Sequence, residues 1–445
     1  MTSQIFLNSR RAFSSDATPN FFNVIISGGG LIGQTMACAL AKNPLFKNTN
    51  ILLIESSPKK DYASKENNYS NRVSSIAPTT KEFFEKLGMW KNIKRYQVMK
   101  DMKVWGYLSK DFINFEHDID NPAYIVENDE IVNAAMIENS KASNVKILYG
   151  SAIKGVTLNT GKRSRNHQIT LVDGSLYDTN LLIGADGANS LIRNVMQSDY
   201  INWNYNQFGI VATMHLSDNN ENNTAWQRFL PDGPIAILPL SKGISSLVWS
   251  VTESKAKKII KLPEEVFVEA LNEALHSEPQ KNEIATVVNN CSKSFLGLFG
   301  PKTFPQPLIP PHIKSVVPKS IAAFPLSFGH CSQYYKNGVV LIGDSAHKVH
   351  PLAGQGVNIG FRDIQNLEDK LSQGLFNGRV LGNAMDLKHY ETVAQRQNVP
   401  LMAAIDALHW IYTSNNTIVK AFGNVCFQFT ESVRPVKAVM KQLAT

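Results

Sequence analysis

The sequence predicts a mixed α/β fold. A β-rich second domain is interleaved into it, and the C-terminal tail is helical. The chain has 445 residues, which is too long for one ordinary hydrophobic core. Between residues 21 and 55, an apolar run, a glycine-rich turn, a helix of small residues and a second apolar run follow one another, as in a β–α–β unit. Residues 203–317 instead hold alternating aromatic runs joined by proline-rich connections, which indicates strands.

The elements of the first part follow from their apolar patterns and their turns. Phe21 to Ser27 and Ile51 to Glu55 are predicted strands on either side of a helix from Leu31 to Lys42. The next predicted elements are helices at Thr80–Leu87 and Ile131–Ala142, a strand at Val145–Tyr149, and a hairpin over Ile169–Leu182 that turns at Asp173-Gly174. After the β-rich region we expect a buried strand at Gly338–Gly343, a helix from Gly356 and mostly helical structure over 384–443.

The composition is that of a folded protein with a basic surface. Apolar residues make up 43% of the chain and charged residues 18%, which excludes global disorder. The net charge of +8 is compatible with binding to an anionic membrane surface, binding to an acidic partner, or location in an organelle matrix. The lysines are scattered along the chain and form no concentrated patch in the sequence. Because nucleic-acid binding needs a concentrated basic patch, we expect no nucleic-acid partner. No apolar run is long enough for a predicted membrane span.

The first twenty residues differ from the rest. They contain Arg10, Arg11 and many hydroxyl side chains, but only one acid, Asp16. This composition is typical of a mitochondrial transit peptide, and the alternative is an unprocessed disordered tail. Residues 21–445 keep a net charge of +7, so the basic balance does not depend on this segment.

Cysteine and histidine residues form no pattern typical of a metal site. His347 and His350 form an H-x-x-H pair, but two histidines on a loop do not hold a metal without further ligands. We therefore expect no metal and assign both histidines to loop packing. None of the cysteines is in a CxxC pair, and all are predicted to be reduced and structural: Cys38, Cys291, Cys331 and Cys426.

The glycine-rich turn after the first strand fits the dinucleotide pattern G-x-G-x-x-G. Gly28 permits the tight turn, Gly30 lets the backbone approach a pyrophosphate, and Gly33 lets the helix pack against the strand. Glu55 ends the second strand, where an acid holds a ribose hydroxyl and repels the 2′-phosphate of NADP. The sequence therefore predicts a Rossmann-like nucleotide site, without deciding between NAD and FAD.

Two later stretches also place polar residues after buried strands. Leu181 to Ile183 leads into Gly-Ala-Asp-Gly, which ends in Asp186 and Gly187. Val339 to Ile342 leads into Gly343-Asp344, then a glycine-rich loop and a helix. The Asp344 carboxylate is suited to a polyol chain, and the helix start at Gly354 to Asn358 is suited to a group that gains negative charge.

These three stretches, in this order, resemble the flavin monooxygenases of the para-hydroxybenzoate hydroxylase fold. The last stretch carries the family's H-P-x-x-G-Q-G sequence from His350 to Gly356, and the resemblance runs from about Phe22 to Gln397. The ubiquinone-biosynthesis branch is the most similar, through Trp226–Pro231, Gly233–Leu240 and Tyr390-Glu391.

The resemblance implies an FAD site and a division into domains. Gly28, Gly30 and Gly33 would contact the ADP pyrophosphate, Glu55 the adenosine ribose and Asp344 the ribityl chain. The other implied cofactor residues are Arg72 near the phosphates, Asp186 and Gly187 beside FAD, and Pro351, Gly354, Gly356 and Asn358 at the isoalloxazine. Residues 21–90, 125–200 and 318–383 would form the FAD-binding domain, residues 91–124 and 201–317 the substrate domain, and residues 384–445 C-terminal helices.

The resemblance also implies the activity. A flavin hydroperoxide would hydroxylate the aromatic ring of a polyprenylated phenol or hydroxybenzoate with O2, so no side chain is expected to be the main catalyst. No second G-x-G-x-x-G is present, and a ferredoxin with its reductase is the expected electron donor. The implied location is the matrix side of the mitochondrial inner membrane, in a ubiquinone-biosynthesis complex. Two alternatives stay open: a flavin hydroxylase or epoxidase of another lipid, and a non-catalytic prenyl-binding escort protein.

Several residues have two interpretations in the sequence. Many relatives have an arginine just before the helix near Ile131, where this chain has Val126–Glu130, so Asn128 is a candidate for a replacement phosphate contact. Arg228 is expected either in solvent or at the active site, and Trp226 and Phe229 in the sheet core or around substrate. The basic positions Arg434, Lys437 and Lys441 suit a solvated helix face or a docking surface.

Overall fold

We describe the fold from a computed structural model of the chain. It covers residues 20–62, 69–107, 112–116, 122–158, 166–217, 221–278, 309–354 and 356–414. The transit-like segment, Cys291, Cys426 and the basic C-terminal positions lie outside the described residues. The strands, in chain order, are β1 Asn20–Ser27, β2 Ile51–Ile54, β3 Val73–Ile76, β4 Gln97–Met99, β5 Asp101–Gly106, β6 Phe112–Glu116, β7 Ala123–Glu127, β8 Val145–Leu148, β9 Ile153–Thr157, β10 His167–Leu171, β11 Leu176–Gly184, β12 Tyr200–Leu216, β13 Thr224–Leu230, β14 Gly233–Ser241, β15 Ile244–Thr252, β16 Ile313–Val316, β17 Ala322–Cys331, β18 Tyr335–Lys336, β19 Val339–Leu341 and β20 His347–Lys348.

Most of the described helices outside the β-rich region agree with the sequence pattern, whereas two helices inside that region, Glu253–Ile259 and Glu264–His276, were not predicted. The predicted first helix, the hairpin at Asp173-Gly174 and the helix from Gly356 are confirmed, whereas the third helix begins at Asn128, three residues before its predicted start. No helix among the described residues is long and apolar enough to cross a membrane. The helices are α1 Leu31–Lys42, α2 Pro78–Lys86, α3 Asn128–Ser140, α4 Leu191–Met196, α5 Glu253–Ile259, α6 Glu264–His276, α7 Gly356–Phe376 and α8 Ala384–Thr413.

An eight-stranded sheet positions the predicted nucleotide site. Its strand order is β18-β19-β11-β1-β2-β8, with β10 and β9 added beside β11. Strands β19, β11, β1, β2 and β8 are parallel neighbours. Their carboxyl ends therefore lie along one edge, the edge where open α/β sheets bind ligands. The topology places four predicted site features along this edge, because each of them follows one of these strands: the Gly28 turn, Glu55, Asp186 and Asp344.

A second, nine-stranded sheet confirms the β-rich part. Its order is β20-β17-β12-β15-β14-β13-β5-β6, with β16 beside β12, and only the β13–β5 pair is parallel. The sequence division placed residues 318–383 in the nucleotide-binding part, but β17, Ala322–Cys331, pairs with β12 along most of its length. A boundary at residue 317 therefore cuts through this sheet.

Two cores fill these layers, and α8 packs between them. One core joins the eight-stranded sheet with α1, α2, α3 and α7, and the other lies between the nine-stranded sheet, α5 and α6. The second half of α8 buries Leu401 and Ile405 in a smaller cluster with Phe229 of β13 and Leu352. These apolar positions of the helix thus pack on the body of the protein.

Candidate functional site

The Gly28 turn has the geometry that a phosphate-binding turn requires. Gly28 has φ +103°, and a Cβ on it would collide with the carbonyl oxygen of Ala185. A Cβ on Gly33 would collide with the carbonyl oxygen of Gly28, so only glycine lets α1 start this close to β1. These two glycines are fixed by packing within the protein.

Gly30 differs because no atom of the described residues lies within 4 Å of the position that its Cβ would take. It is exposed and precedes α1 without a side-chain cap or an acid in the first turn. The first backbone N–H groups of a helix have no partner within it, and the helix dipole favours an anion there. The start of α1 therefore offers both space and donors for a phosphate group.

Glu55 is held at the end of β2. Its Oε2 accepts a hydrogen bond from Gly29 N at 2.6 Å, and its Oε1 accepts one from Ser57 N at 2.7 Å. Desolvation opposes ionisation, but these hydrogen bonds from Ser57 and Gly29 lower the pKa of Glu55 below its ordinary value. An ionised acid thus stands next to the glycine turn.

Asp186 mainly organises the backbone around it. Its carboxylate accepts hydrogen bonds from Ser190 Oγ at 2.5 Å, Leu191 N at 2.8 Å and Ser345 Oγ at 3.1 Å. These bonds cap α4 and connect two of the three predicted stretches. Gly187 donates its N–H to Ser345 Oγ at 3.0 Å and has φ +79°, with no atom within 4 Å of a Cβ position.

Asp344 follows β19, at the sheet edge that also carries the Gly28 turn. Its side chain is exposed to solvent, yet the surrounding protein raises the pKa of its carboxyl group by desolvation, against the nearby His347 and Lys348. The preceding residue, Gly343, donates its N–H to the buried Asp363 Oδ2 at 2.9 Å. A carboxyl group that is accessible but enclosed in this way is suited to hold hydroxyl groups of a ligand.

The Pro351 loop, defined here as Pro351–Gly354, lies in the chain between Asp344 and α7. Gly354 is exposed and has φ +64°, and a Cβ on Gly356 would meet only Val349 Cγ2, at 3.6 Å. Asn358 is buried, and its side chain is bonded to protein groups: Ser75 O at 2.8 Å, Thr80 Oγ1 at 3.1 Å and Ala77 N at 3.3 Å. The Asn358 side chain therefore joins α7 to β3 and α2, which leaves its backbone for a ligand.

Arg72 and Asn128 lie together beside this arrangement. Arg72 is exposed, with its guanidinium 5.9 Å from the ring centre of Phe324, and its carbonyl oxygen accepts Asn128 N at 3.0 Å. Asn128 Oδ1 accepts the Ser74 hydroxyl at 2.6 Å. The oxygen of the Asn128 amide is thus engaged within the protein, at the start of α3.

Arg228 is buried and donates to Ala274 O at 3.0 Å and Ser277 O at 2.7 Å at the end of α6. The expectation that it lies in solvent was therefore wrong, and its place at the active site stays a prediction. Phe229 stacks on Tyr412 of α8 with ring centres 4.0 Å apart, and Trp226 packs against the core of the nine-stranded sheet. The sheet-core interpretation of both aromatics therefore fits.

The two histidines pack as expected, in different surroundings. His347 Nε2 lies 2.5 Å from Asp363 Oδ2. Desolvation lowers the pKa of His347, but the adjacent Asp363 carboxylate outweighs it and raises that pKa above the ordinary value. His350 is bonded instead to Gln207. Among the described residues no cluster of metal-binding side chains occurs, and Cys38 and Cys331 are buried free thiols.

Sequence reasoning missed three residues that hold the site together. Asp363 accepts hydrogen bonds from Gly343, His347 and Asn398. Ser345 joins the Asp186 turn, and Arg193 donates to Ser345 O at 3.2 Å. The only sequence signal for Asp363 was a single acid on the apolar face of α7, which is weak without a known partner.

The described residues fit an extended dinucleotide such as FAD. Three environments lie along one sheet edge. The first is the open space and the helix N–H donors at Gly30, the second is the ionised Glu55 beside it, and the third is the carboxyl group of Asp344. The first environment suits a pyrophosphate, the second a ribose and the third a polyol chain, and the pyrophosphate position lies between the other two, as in FAD.

Comparison with known proteins gives the same cofactor. Residues 22–294 match the family described as FAD binding domain, and residues 272–444 match the family described as squalene epoxidase. The ubiquinone biosynthesis monooxygenase COQ6, mitochondrial, of Xenopus tropicalis is 41% identical and covers 98% of this chain and 95% of its own length. The Homo sapiens protein of the same name is 41% identical, over 99% of this chain and 96% of its own length.

Solved structures share the fold at low sequence identity. PqsL of Pseudomonas aeruginosa, a probable FAD-dependent monooxygenase, has a TM-score of 0.66 at 18% identity, over 91% of this chain and 99% of its own. The p-nitrophenol 4-monooxygenase PnpA of Pseudomonas putida DLL-E4 has a TM-score of 0.67 at 15% identity, over 96% and 97%. The fold, the site and the full-length relatives agree, and the chain belongs to the family of FAD-dependent ubiquinone-biosynthesis monooxygenases.

Proposed function

We propose that this enzyme hydroxylates the aromatic ring of a polyprenylated phenol or hydroxybenzoate in ubiquinone biosynthesis. The observation that carries the proposal is the similarity to the ubiquinone biosynthesis monooxygenases, which extends over almost the whole chain. One atom of O2 enters the ring in place of a hydrogen, and the other leaves as water with two electrons and two protons. Bound FAD supplies the electron transfer and the activation of O2.

The chain's own part is to bind FAD, exclude water and orient the ring. We assign the pyrophosphate to the Gly28 turn and the start of α1, the adenosine ribose to Glu55, and the ribityl chain to Asp344. The remaining contacts that we propose are Arg72 near the phosphates, Gly187 beside FAD with Asp186 as its backbone support, and Pro351, Gly354, Gly356 and the backbone of Asn358 at the isoalloxazine.

The electron donor in this proposal is a ferredoxin with its reductase. The sequence has no second G-x-G-x-x-G for a nicotinamide nucleotide. A net charge of +7 for residues 21–445 favours an acidic protein partner, because opposite charges accelerate association.

The proposed location is the matrix side of the mitochondrial inner membrane, as a peripheral member of a ubiquinone-biosynthesis complex. Residues 1–20 would be the transit peptide. For the domains we keep residues 21–90, 125–200 and 318–383 for FAD and residues 91–124 and 201–317 for substrate, with one change. Since β17 pairs within the nine-stranded sheet, the third FAD segment begins after Cys331.

A second candidate is a flavin epoxidase or hydroxylase of another lipid. The observation that favours it is the match of residues 272–444 to the squalene epoxidase family. Both candidates use the same bound cofactor and an apolar substrate, and they differ in whether the oxygen enters an aromatic ring or an alkene.

Reduction and product analysis of the FAD-loaded protein separate the candidates. We would reduce it anaerobically with NADH, NADPH or a reduced ferredoxin system, and then add isotopically labelled O2 with a polyprenylated hydroxybenzoate or with squalene. The proposal expects efficient reduction only by ferredoxin and one labelled oxygen in the aromatic ring. Reduction by NADPH with labelled epoxide as the product would establish the second candidate instead.

A further inference from the structure

A partly buried polar cluster joins the nine-stranded sheet, the segment before the Pro351 loop and helix α8. We call it the Gln207 cluster, and its members are Tyr205, Gln207, His350, Asp406 and His409. His350 has no exposed surface, and the His350 and His409 rings lie 4.9 Å apart between centres. None of the cofactor contacts assigned above uses these side chains, although His350 directly precedes Pro351.

The sheet contains an irregularity at this place. In the pairing of β12 with β17, Asn204 lies opposite Ser327 and Gln207 lies opposite Leu326, so Tyr205 and Asn206 are extra residues in β12. Asn206 has φ +55°, and its N–H donates to Asn204 Oδ1 at 2.8 Å. β-Bulges redirect side chains and occur more often near functional sites than elsewhere. Here Tyr205 reaches α8, where its hydroxyl donates to Asp406 Oδ1 at 2.8 Å.

The turn between β13 and β14 orients the side chain of Gln207. Its Nε2 donates to Asp232 O at 2.6 Å, which leaves Oε1 as the acceptor for His350 Nε2 at 3.2 Å and His409 Nε2 at 2.9 Å. Because an amide oxygen can only accept, both histidines carry a proton on Nε2. One side chain therefore holds an imidazole of the Pro351 segment and an imidazole of α8 at the same time.

The His350 ring is held in this orientation at a cost. Burial, with His409 nearby, lowers the pKa of His350 to about 3, so the ring is neutral and its Nδ1 is an acceptor. Within the described part of the chain, this buried Nδ1 has no hydrogen-bond partner. An unpaired buried acceptor is unfavourable, and the bond to Gln207 is the polar contact that keeps the ring in place.

This arrangement is unsuited to proton transfer. The Gln207 amide joins the two imidazoles but does not accept and release a proton as an acid or base does. The physical role that remains is mechanical, because Gln207 connects a bulged strand, the residue before Pro351 and the last turns of α8.

We propose that Gln207 is a positioning residue, which fixes the Pro351 loop against the flavin by holding His350 and His409 together. The last turns of α8 thereby belong to the flavin site, although they lie outside the sheet that binds the nucleotide. The proposal rests on the assignment of the Pro351 loop to the isoalloxazine made above.

The test compares Gln207→Leu with Tyr205→Phe in the FAD-loaded protein. Hydrogen exchange of the loop amides, such as Gly354 N–H, reports its mobility, and dye-coupled titration gives the flavin midpoint potential. We expect exchange at least about tenfold faster and a lower potential in Gln207→Leu, since one lost buried hydrogen bond changes an equilibrium by about that factor. Tyr205→Phe loses the bond to Asp406 but keeps Gln207, so both readouts should stay within about twofold of wild type.

Two results would overturn the proposal in different ways. Unchanged loop exchange in Gln207→Leu would show that Gln207 does not hold the loop. Faster exchange with an unchanged potential and flavin spectrum would show that the loop does not position the flavin, which would also remove the loop from the proposed site. If Gln207→Leu does not fold, His409→Leu breaks only the α8 side. Faster exchange at the end of α8 with a lowered potential supports the proposal, and an unchanged potential contradicts it.

Discussion

The three glycines of the first motif have different physical reasons to be glycine. Gly28 and Gly33 are demanded by the protein itself, because added Cβ atoms would collide with backbone oxygens. Gly30 has open space on its side-chain position, so no contact within the described protein excludes a larger residue there. The sequence motif does not distinguish these cases, whereas the structure separates the two packing glycines from the one with open space at its Cβ position.

We expect Gly30→Val to abolish FAD retention without unfolding the protein. The new side chain would occupy the approach to the pyrophosphate, while the space around it inside the protein is free. Visible absorbance after purification measures bound FAD, and circular dichroism measures folding. Gly33→Ala is the matched comparison: its Cβ would strike Gly28 O, so this variant should lose stability as well. A folded Gly30→Val protein with full yellow colour would contradict the pyrophosphate assignment.

Gly356→Asp should lower the flavin reduction potential while FAD remains bound. Reduction places negative charge near the flavin N1 and C2 carbonyl, and the start of α7 carries roughly half a positive charge. A carboxylate there opposes the new charge, by on the order of tens of millivolts for a two-electron couple. The Cβ at this position meets only Val349 Cγ2 at 3.6 Å, so the fold should tolerate it. An unchanged potential in an FAD-loaded variant would assign the loop to packing alone.

Local patterns predicted the elements well, but they did not predict the partners of polar side chains. The first helix matches its predicted bounds because small and apolar residues fill most of its buried positions after a glycine turn. Asn358 could be placed on a helix start, but its partner Ala77 lies 281 positions away. Arg228 was misjudged for the same reason, since Ser277 and Ala274 arrive from a helix that the β-rich pattern did not indicate.

At the scale of elements, the α1–α3 pair is held by a buried acid. Glu138 of α3 accepts hydrogen bonds from Lys42 of α1 at 2.5 Å, Lys141 at 2.6 Å and Asn92 at 2.8 Å. Burial opposes ionisation, but the bonds from Lys141 and Lys42 lower the pKa of Glu138 to about 2. We expect the glycine turn to depend on this packing, because α1 is the helix whose start we assign to the phosphate.

Glu138→Gln should therefore destabilise the protein in a pH-dependent way. We expect a loss of about 1–3 kcal/mol at pH 7, since the lysines are partly exposed but the acid is buried. A lowered folded-state pKa stabilises above the ordinary glutamate pKa and loses its effect as the pH falls towards 2. Urea unfolding at about pH 7 and about pH 3 should thus show a smaller difference at the lower pH.

The control for this prediction is Glu85→Gln, which removes an exposed pair with Lys81 on α2. An exposed pair contributes roughly 0–1 kcal/mol, so this variant should remain close to wild type at both pH values. Equal losses in the two variants would mean that burial of Glu138 does not matter.

The two faces of the second half of α8 should have different roles. We expect the inner face to stabilise the fold, and the outer face is the one available for docking. Ile405 is 3% exposed and Trp410 is 62% exposed. We expect Ile405→Ala to cost about 2–5 kcal/mol in urea unfolding, and Trp410→Ala to cost little. Trp410→Ala reports docking through its recovery with membranes or a partner complex.

Truncation after Asn398 removes both faces together. It should lower the yield of soluble FAD-loaded protein, because it deletes Leu401, Ile405 and the stack of Tyr412 on Phe229. A truncated protein with unchanged solubility, FAD content and membrane recovery would contradict both the packing and the docking role.

At the scale of the whole molecule, the site is assembled from stretches far apart in the chain. The Gly28 turn, Asp186 and Asp344 meet because β1, β11 and β19 are neighbours in one sheet. The nine-stranded sheet is formed largely by residues between Tyr200 and Cys331, within the interval between β11 and β19. A chain that stops at residue 330 should thus retain no FAD, as measured by absorbance after co-expression and purification.

The position of β19 in the chain sets the order in which the eight-stranded sheet can form during translation. A ribosome delivers β1, β2 and β11 within the first 184 residues, but the strand that covers Leu182–Gly184 begins only at Val339. During the seconds between them, at roughly 5–20 residues per second, the nascent sheet has an open parallel edge, and open edges recruit other chains. Because the proposed FAD site includes Asp344, which follows β19, we expect flavin capture only after this edge closes. Until then, the flavin-free chain is the form that chaperones and proteases would meet.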